Sequence, residues 1–175
     1  MIKKINIKKI ALSGLFATFS LLFSFLGHYL VVPMFLGFKL DLSDFPIFTS
    51  TLLLGSSYGY IILLVVSFIR SFSFSIAGWP GFFMRMVSIL PIFFLGLYRK
   101  HNKMLFLYSM LSVISYIILK IPISYIFWTK FNSISSSVMS SLIFPVVVPY
   151  NFIKILINIV ISIAFYKKIK EKIKE

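Results

Sequence analysis

Lys39-Leu40-Asp41-Leu42-Ser43-Asp44-Phe45-Pro46 interrupts a chain that is otherwise nearly free of acid, since Asp41 and Asp44 are the only carboxylates ahead of the final tail. Apolar runs of membrane-crossing length flank it on both sides. A cation, two acids and a hydroxyl in that setting must face water or a polar ligand, because an isolated charge in hydrocarbon costs several kcal/mol. The stretch therefore reads as the rim or lid of a binding site set between membrane spans.

Composition agrees. Of 175 residues, 59% are hydrophobic and only 13% are charged, against about 25% charged in a soluble domain; mean hydropathy is +1.00. A span needs roughly 20 apolar residues to cross ~30 Å of hydrocarbon. The chain is thus expected to form one domain, residues 1–175, an all-α membrane protein built as a compact bundle of six transmembrane helices with both termini cytoplasmic.

The formal charge of +14 raises the question of nucleic acid. The basic residues do not form one face, however. They gather at the ends of apolar runs, at Lys3, Lys4, Lys8 and Lys9, at Arg99, Lys100 and Lys103, and from Lys167 to Lys174. That is the distribution of cytoplasmic flanks, with the last group leaning on anionic lipid. A nucleic-acid groove would interleave cations with aromatics on a watery surface, so no nucleic-acid partner is expected. Cysteine is absent, which removes disulfides and thiolate metal sites. The run from Ile10 to Val32 is too long for a cleaved signal and reads as a retained first span.

Enzymatic chemistry finds no support. No Gly-x-x-x-x-Gly-Lys-Ser/Thr phosphate loop is present, and no His-x-x-x-His or Glu-x-x-His pattern. The loop acids have no histidine in register, so no catalytic residue, metal or cofactor is assigned.

The expected spans are Ile10–Val32, a short Phe45–Leu54, Tyr60–Ser75, Phe82–Tyr98, Met104–Phe127 and Phe144–Tyr166. Gly55 to Gly59 reads as a turn, Ala77 to Gly81 as an outer turn, and Thr129 to Ser141 as a serine-rich loop. In the first span, Ser13/Ala17 and Gly14/Thr18 are small-xxx-small pairs, suited to close helix approach. Arg70 is expected to snorkel to the outer surface, with ligand contact as the sharper reading. Pro91 should kink its span. Asn151 and Lys154, three residues apart, share a helix face and form a polar stripe in an apolar helix. Pointing inward, the stripe would meet a ligand.

Three segments together resemble a known family. Lys39 to Pro46, Leu54-Gly55-Ser56-Ser57-Tyr58-Gly59 and Pro149-Tyr150-Asn151-Phe152-Ile153-Lys154 are similar to the substrate-binding S component of energy-coupling factor (ECF) vitamin transporters, the riboflavin-specific branch above all. The resemblance implies a multi-pass protein of the bacterial plasma membrane that captures a vitamin from outside. It implies a transmembrane coupling (T) subunit and two cytoplasmic ATPase subunits as partners, with Ala11, Ser13, Gly14 and Ala17 meeting the coupling subunit. It assigns the ligand to Lys39, Leu40, Asp41, Ser43, Asp44, Asn151 and Lys154, to which this chain's own Arg85 is added, with riboflavin transported rather than held as a cofactor. One departure stands out: Arg85 takes the place of the acid or asparagine usual near the start of helix 4, and favours an anionic or carbonyl-rich ligand. The same fold carrying another vitamin or precursor, and a structural membrane protein without a ligand, are the competing expectations.

Overall fold

A computed structural model describes residues 7–29, 41–73, 78–101, 104–131 and 133–174. The described residues form helices α1 (Ile7–Tyr29), α2 (Asp44–Leu54), α3 (Ser56–Ser73), α4 (Gly78–Met86), α5 (Ile89–His101), α6 (Leu105–Ile126), α7 (Ser136–Leu142) and α8 (Val148–Lys174). Among the described residues, five helical segments are long and apolar enough to cross a membrane: α1, α3, α4 with α5, α6 with the turn after it, and α7 running into α8. The short apolar α2 makes the sixth membrane-depth element.

The bundle is organised around α2. Its 11 residues rise only about 16 Å, too little to span, and every residue but Leu53 is buried. It packs on α1, α3, α5 and α8, and Ile47, Phe48 and Leu52 anchor a core completed by Ile62, Leu63, Ile92, Leu95, Ile155 and Ile159. The hydroxyls it buries fold back on its own carbonyls: Thr49 donates to Phe45 at 2.8 Å, Ser50 to Ile47 at 2.7 Å and Thr51 to Ile47 at 2.9 Å. Helix–backbone bonding of this kind lets polar residues sit where no water reaches.

Where the structure departs from the spans expected above, the reasons are local. The reversal after α2 takes one residue, Gly55 at φ 111°, a conformation open to glycine. Ser56 to Gly59 are consequently helical rather than turn. Gly59 serves contact instead: a Cβ there would lie 2.1 Å from Thr51 Oγ1 and 3.1 Å from Ile92 Cγ2. Trp79 and Pro80 belong to the first turn of α4, where a proline's missing N–H has no partner to lose. Pro91 does more than kink its span. The helix stops at Met86 and restarts at Ile89, at the carbonyl four residues ahead of the proline that its ring would strike.

The serine-rich segment also differs. Its second half is helix α7, with Ser140 donating to Ser136 at 2.7 Å and Ser141 to Val138 at 2.8 Å. A π-type turn over Ile143–Val147, which contains Pro145, joins it to α8. Outward-facing Leu12, Phe19, Ile61, Leu64, Phe68, Phe106, Ile118 and Val160 form the apolar exterior a bilayer requires.

Candidate functional site

The polar stretch between α1 and α2 draws cations from three other helices onto its two carboxylates. Arg70, in the last turn of α3, pairs with Asp41 Oδ2 and donates to Ser43 Oγ at 3.1 Å. Arg85, near the end of α4, donates to Ser43 Oγ at 2.8 Å and pairs with Asp44 Oδ1 at 3.2 Å and Asp41 Oδ2 at 3.7 Å. Lys154 of α8 approaches Asp44 Oδ2 at 3.5 Å and Asp41 Oδ2 at 3.7 Å. The Ser43 hydroxyl thus lies between two guanidinium groups. Burying such a network repays its desolvation only when each charge keeps its partners, so the cations hold the stretch in place.

One face of α8 continues the network. Asn151, Lys154, Asn158 and Ser162 follow at steps of three, four and four residues, the spacing of a single stripe. Asn158 is fully buried and donates to Asp41 O at 3.1 Å and to Lys154 O at 2.9 Å. Ser162 donates to Phe45 O at 2.9 Å. From α1, the buried Ser20 donates to the Ser43 carbonyl. The polar segment is therefore pinned through its backbone as well as its side chains.

Beside it lies a cavity of ≈ 210 Å³, lined by Asp41, Asp44, Arg70, Arg85, Tyr116, Lys120 and Lys154, with Phe127 and Met84 also in its wall. A second, almost wholly apolar hollow of ≈ 520 Å³ shares Met84 and Phe127 and is walled by Trp79, Phe83, Ile123 and Phe131. Lys120 donates to Met84 O at 3.2 Å and sits 5.9 Å from the Tyr116 ring centre. Burial alone would raise the Asp41 carboxyl. Lys154, Arg70 and Arg85, aided by a Ser43 hydrogen bond, outweigh it and hold the group well below the usual carboxylate range. Among the described residues no three of His, Cys, Asp or Glu gather as a metal site would need.

The model of the family described as "ECF transporter, substrate-specific component" matches residues 8–166. This chain belongs to that family. A solved structure described as the S component of a bacterial ECF transporter has the same fold, with a TM-score of 0.76 at 19% identity over 96% of this chain and 98% of that one. Comparison with curated proteins gives no match.

As an S component, the chain is a multi-pass membrane protein that binds a small-molecule substrate and works with T and ATPase subunits. Of the residues singled out from its sequence, the structure brings Asp41, Ser43, Asp44, Arg85 and Lys154 together. Lys39 and Leu40 lie outside the described residues. Asn151 is buried on the expected face, but its amide donates to Val147 O at 2.7 Å and does not line the cavity. Arg70 engages Asp41 instead of simply snorkelling. Sequence reading passed over Lys120, Tyr116, Asn158 and Ser20. Asn158 carried a signal as the next step of the Asn151–Lys154 stripe, and Lys120 as a lysine inside an apolar span.

On α1 the four small residues divide. Ala11 and Gly14 are exposed, and nothing lies within 4 Å of a Cβ built on Gly14. Ser13 and Ala17 are half-buried, with Ala17 packed against the core.

Proposed function

We propose that this S component captures a flat, carbonyl-rich vitamin of the riboflavin type from the outer side of the membrane and delivers it by reorienting on an ATP-driven coupling module. The observation that carries the reading is the convergence on Asp41. The segment from Asp41 to Asp44 is ion-paired to α3, α4 and α8 over one cavity, so the placement of that segment and occupation of the cavity would be coupled.

Lys154 and Arg85 supply donors for ring carbonyls and nitrogens. Tyr116 and Phe127 offer aromatic surface to a planar ring. The apolar hollow beyond Met84 and Phe127 suits a hydrophobic ring edge. The exposed small residues Ala11 and Gly14 leave one side of α1 open to the coupling subunit.

Equilibrium dialysis of the purified protein tests the substrate. Riboflavin should be retained at micromolar concentration and lost in Lys154→Ala. No retention, with no flavin released on denaturation, rejects riboflavin.

A further inference from the structure

We propose that the cavity contains an oxyanion subsite, so that the ligand presents a phosphate or carboxylate group to Arg85 and Lys120. The inference rests on the reading that this cavity is the capture site, though not on riboflavin as its occupant. Four cations line the cavity, Arg70, Arg85, Lys120 and Lys154, against two carboxylates, Asp41 and Asp44. Counted as formal charges, two positives are left over.

The excess is not spread evenly. Arg70, Arg85 and Lys154 each pair with one or both acids, whereas Lys120 has no carboxylate within salt-bridge reach among the described residues; it donates to the Met84 carbonyl and lies over the Tyr116 ring. Arg85 is similarly incomplete. Its side chain is only 9% exposed, and its Nε is buried without a hydrogen-bond partner among the described residues. A buried donor left unmade costs about 1–3 kcal/mol, more on a charged group. An uncompensated cation at membrane depth marks a functional position.

One oxyanion, a carboxylate or a phosphate, could serve both groups. It would accept from Arg85 Nε on one oxygen and from Lys120 on another, while the remaining Arg85 nitrogens keep Ser43 and Asp44. The carboxylates Asp41 and Asp44 work against an anion, and their pairing with Arg70 and Lys154 offsets that repulsion. An oxyanion could arrive on the transported solute or on a phospholipid headgroup. The chemistry is shared, and the experiment separates the sources.

The full chain is placed in phosphatidylcholine nanodiscs, which carry no net charge, and its thermal unfolding is followed with inorganic phosphate, with acetate, and with phosphatidylglycerol added to the lipid. In parallel, riboflavin and riboflavin 5′-phosphate are compared by dialysis. Phosphate or acetate should raise the unfolding midpoint saturably. The phosphorylated flavin should bind at least 10-fold more tightly than riboflavin, a difference removed in Lys120→Gln and Arg85→Gln. Stabilisation by phosphatidylglycerol alone, lost in the same variants, assigns the oxyanion to a headgroup and still supports the subsite. If Arg85→Gln fails to fold, Lys120→Gln, which breaks no ion pair with a described residue, decides the matter. No saturable anion effect on any arm, or one that survives Lys120→Gln, overturns the proposal. Riboflavin bound tightly with no preference for its phosphate, together with no anion or phosphatidylglycerol effect on unfolding, would overturn the subsite and leave the capture reading standing. Anion binding without any flavin binding would do the reverse for riboflavin.

Discussion

Helices α1 and α8 begin from similar material and end in opposite uses. Both are long apolar spans with a few polar or small residues. In α8 those residues, Asn151, Lys154, Asn158 and Ser162, lie on one face and turn inward, and the last three hold the segment that opens α2. In α1 the buried polar residues among those described are Ser20 and Ser24, and Ala11, Gly14 and Thr18 remain on the exposed side. The difference teaches that apolar residues do not distinguish inside from outside in a membrane, because lipid and protein interior are equally dry. Polar side chains do: each must find a partner, and the partner fixes the face.

The largest effect should follow from breaking α8. Lys154→Met leaves two buried carboxylates short of a cation, and removing one partner of such a network costs about 3–5 kcal/mol. Thermal unfolding in detergent should show a large loss together with lost ligand binding, and an unchanged midpoint would remove α8 from the site. Next, Gly59→Leu on the packed side of α3 must displace Thr51 and Ile92. Overpacking of this kind costs about 1–3 kcal/mol. Asn158→Leu, which frees the Asp41 carbonyl, should cost about 1–2 kcal/mol and weaken binding roughly 10-fold. Both are read by unfolding midpoint and dialysis side by side.

Gly14→Leu sharpens the contrast from the other helix. With open space around its Cβ, stability and ligand binding should change by less than about 0.5 kcal/mol, while uptake in cells falls because the coupling subunit can no longer approach. Equal loss of binding and uptake would place Gly14 in the bundle rather than at its edge.

The smallest effect concerns pH. Asp41 is depressed in the folded protein, so its stabilising contribution is complete above the unfolded value of about 3.9 and disappears only as pH falls through the lower folded value. Stability should therefore show no Asp41-dependent step between pH 8 and about pH 5, and titrations of the parent and Asp41→Asn should run parallel there. A step in that interval, absent from Asp41→Asn, would mean that the cations do not surround this acid.

What could be read beforehand was whatever leaves a local trace. Long apolar runs and basic flanks carry the membrane class, and the rarity of acids singles out Asp41 and Asp44. Spacing along α8 placed Asn151 and Lys154 on one face, since helical geometry is the same wherever the helix lies. Single residues with hard steric rules were legible in kind and not in extent. Pro91 announced a disturbance, but whether α4 and α5 kink or part depended on what packs there.

The sequence alone determined that this is a polytopic membrane protein with a charged segment between spans one and two. Only the tertiary structure decided that Asp41 meets Arg70, Arg85, Lys154 and Asn158, the last of these 117 residues away, and that Lys120 turns toward the same cavity. Pairing across that distance has no local signature. It follows from the way the short α2 brings its N-terminal end inside the bundle, where charges that the chain scatters among five helical segments have nowhere to go except toward one another.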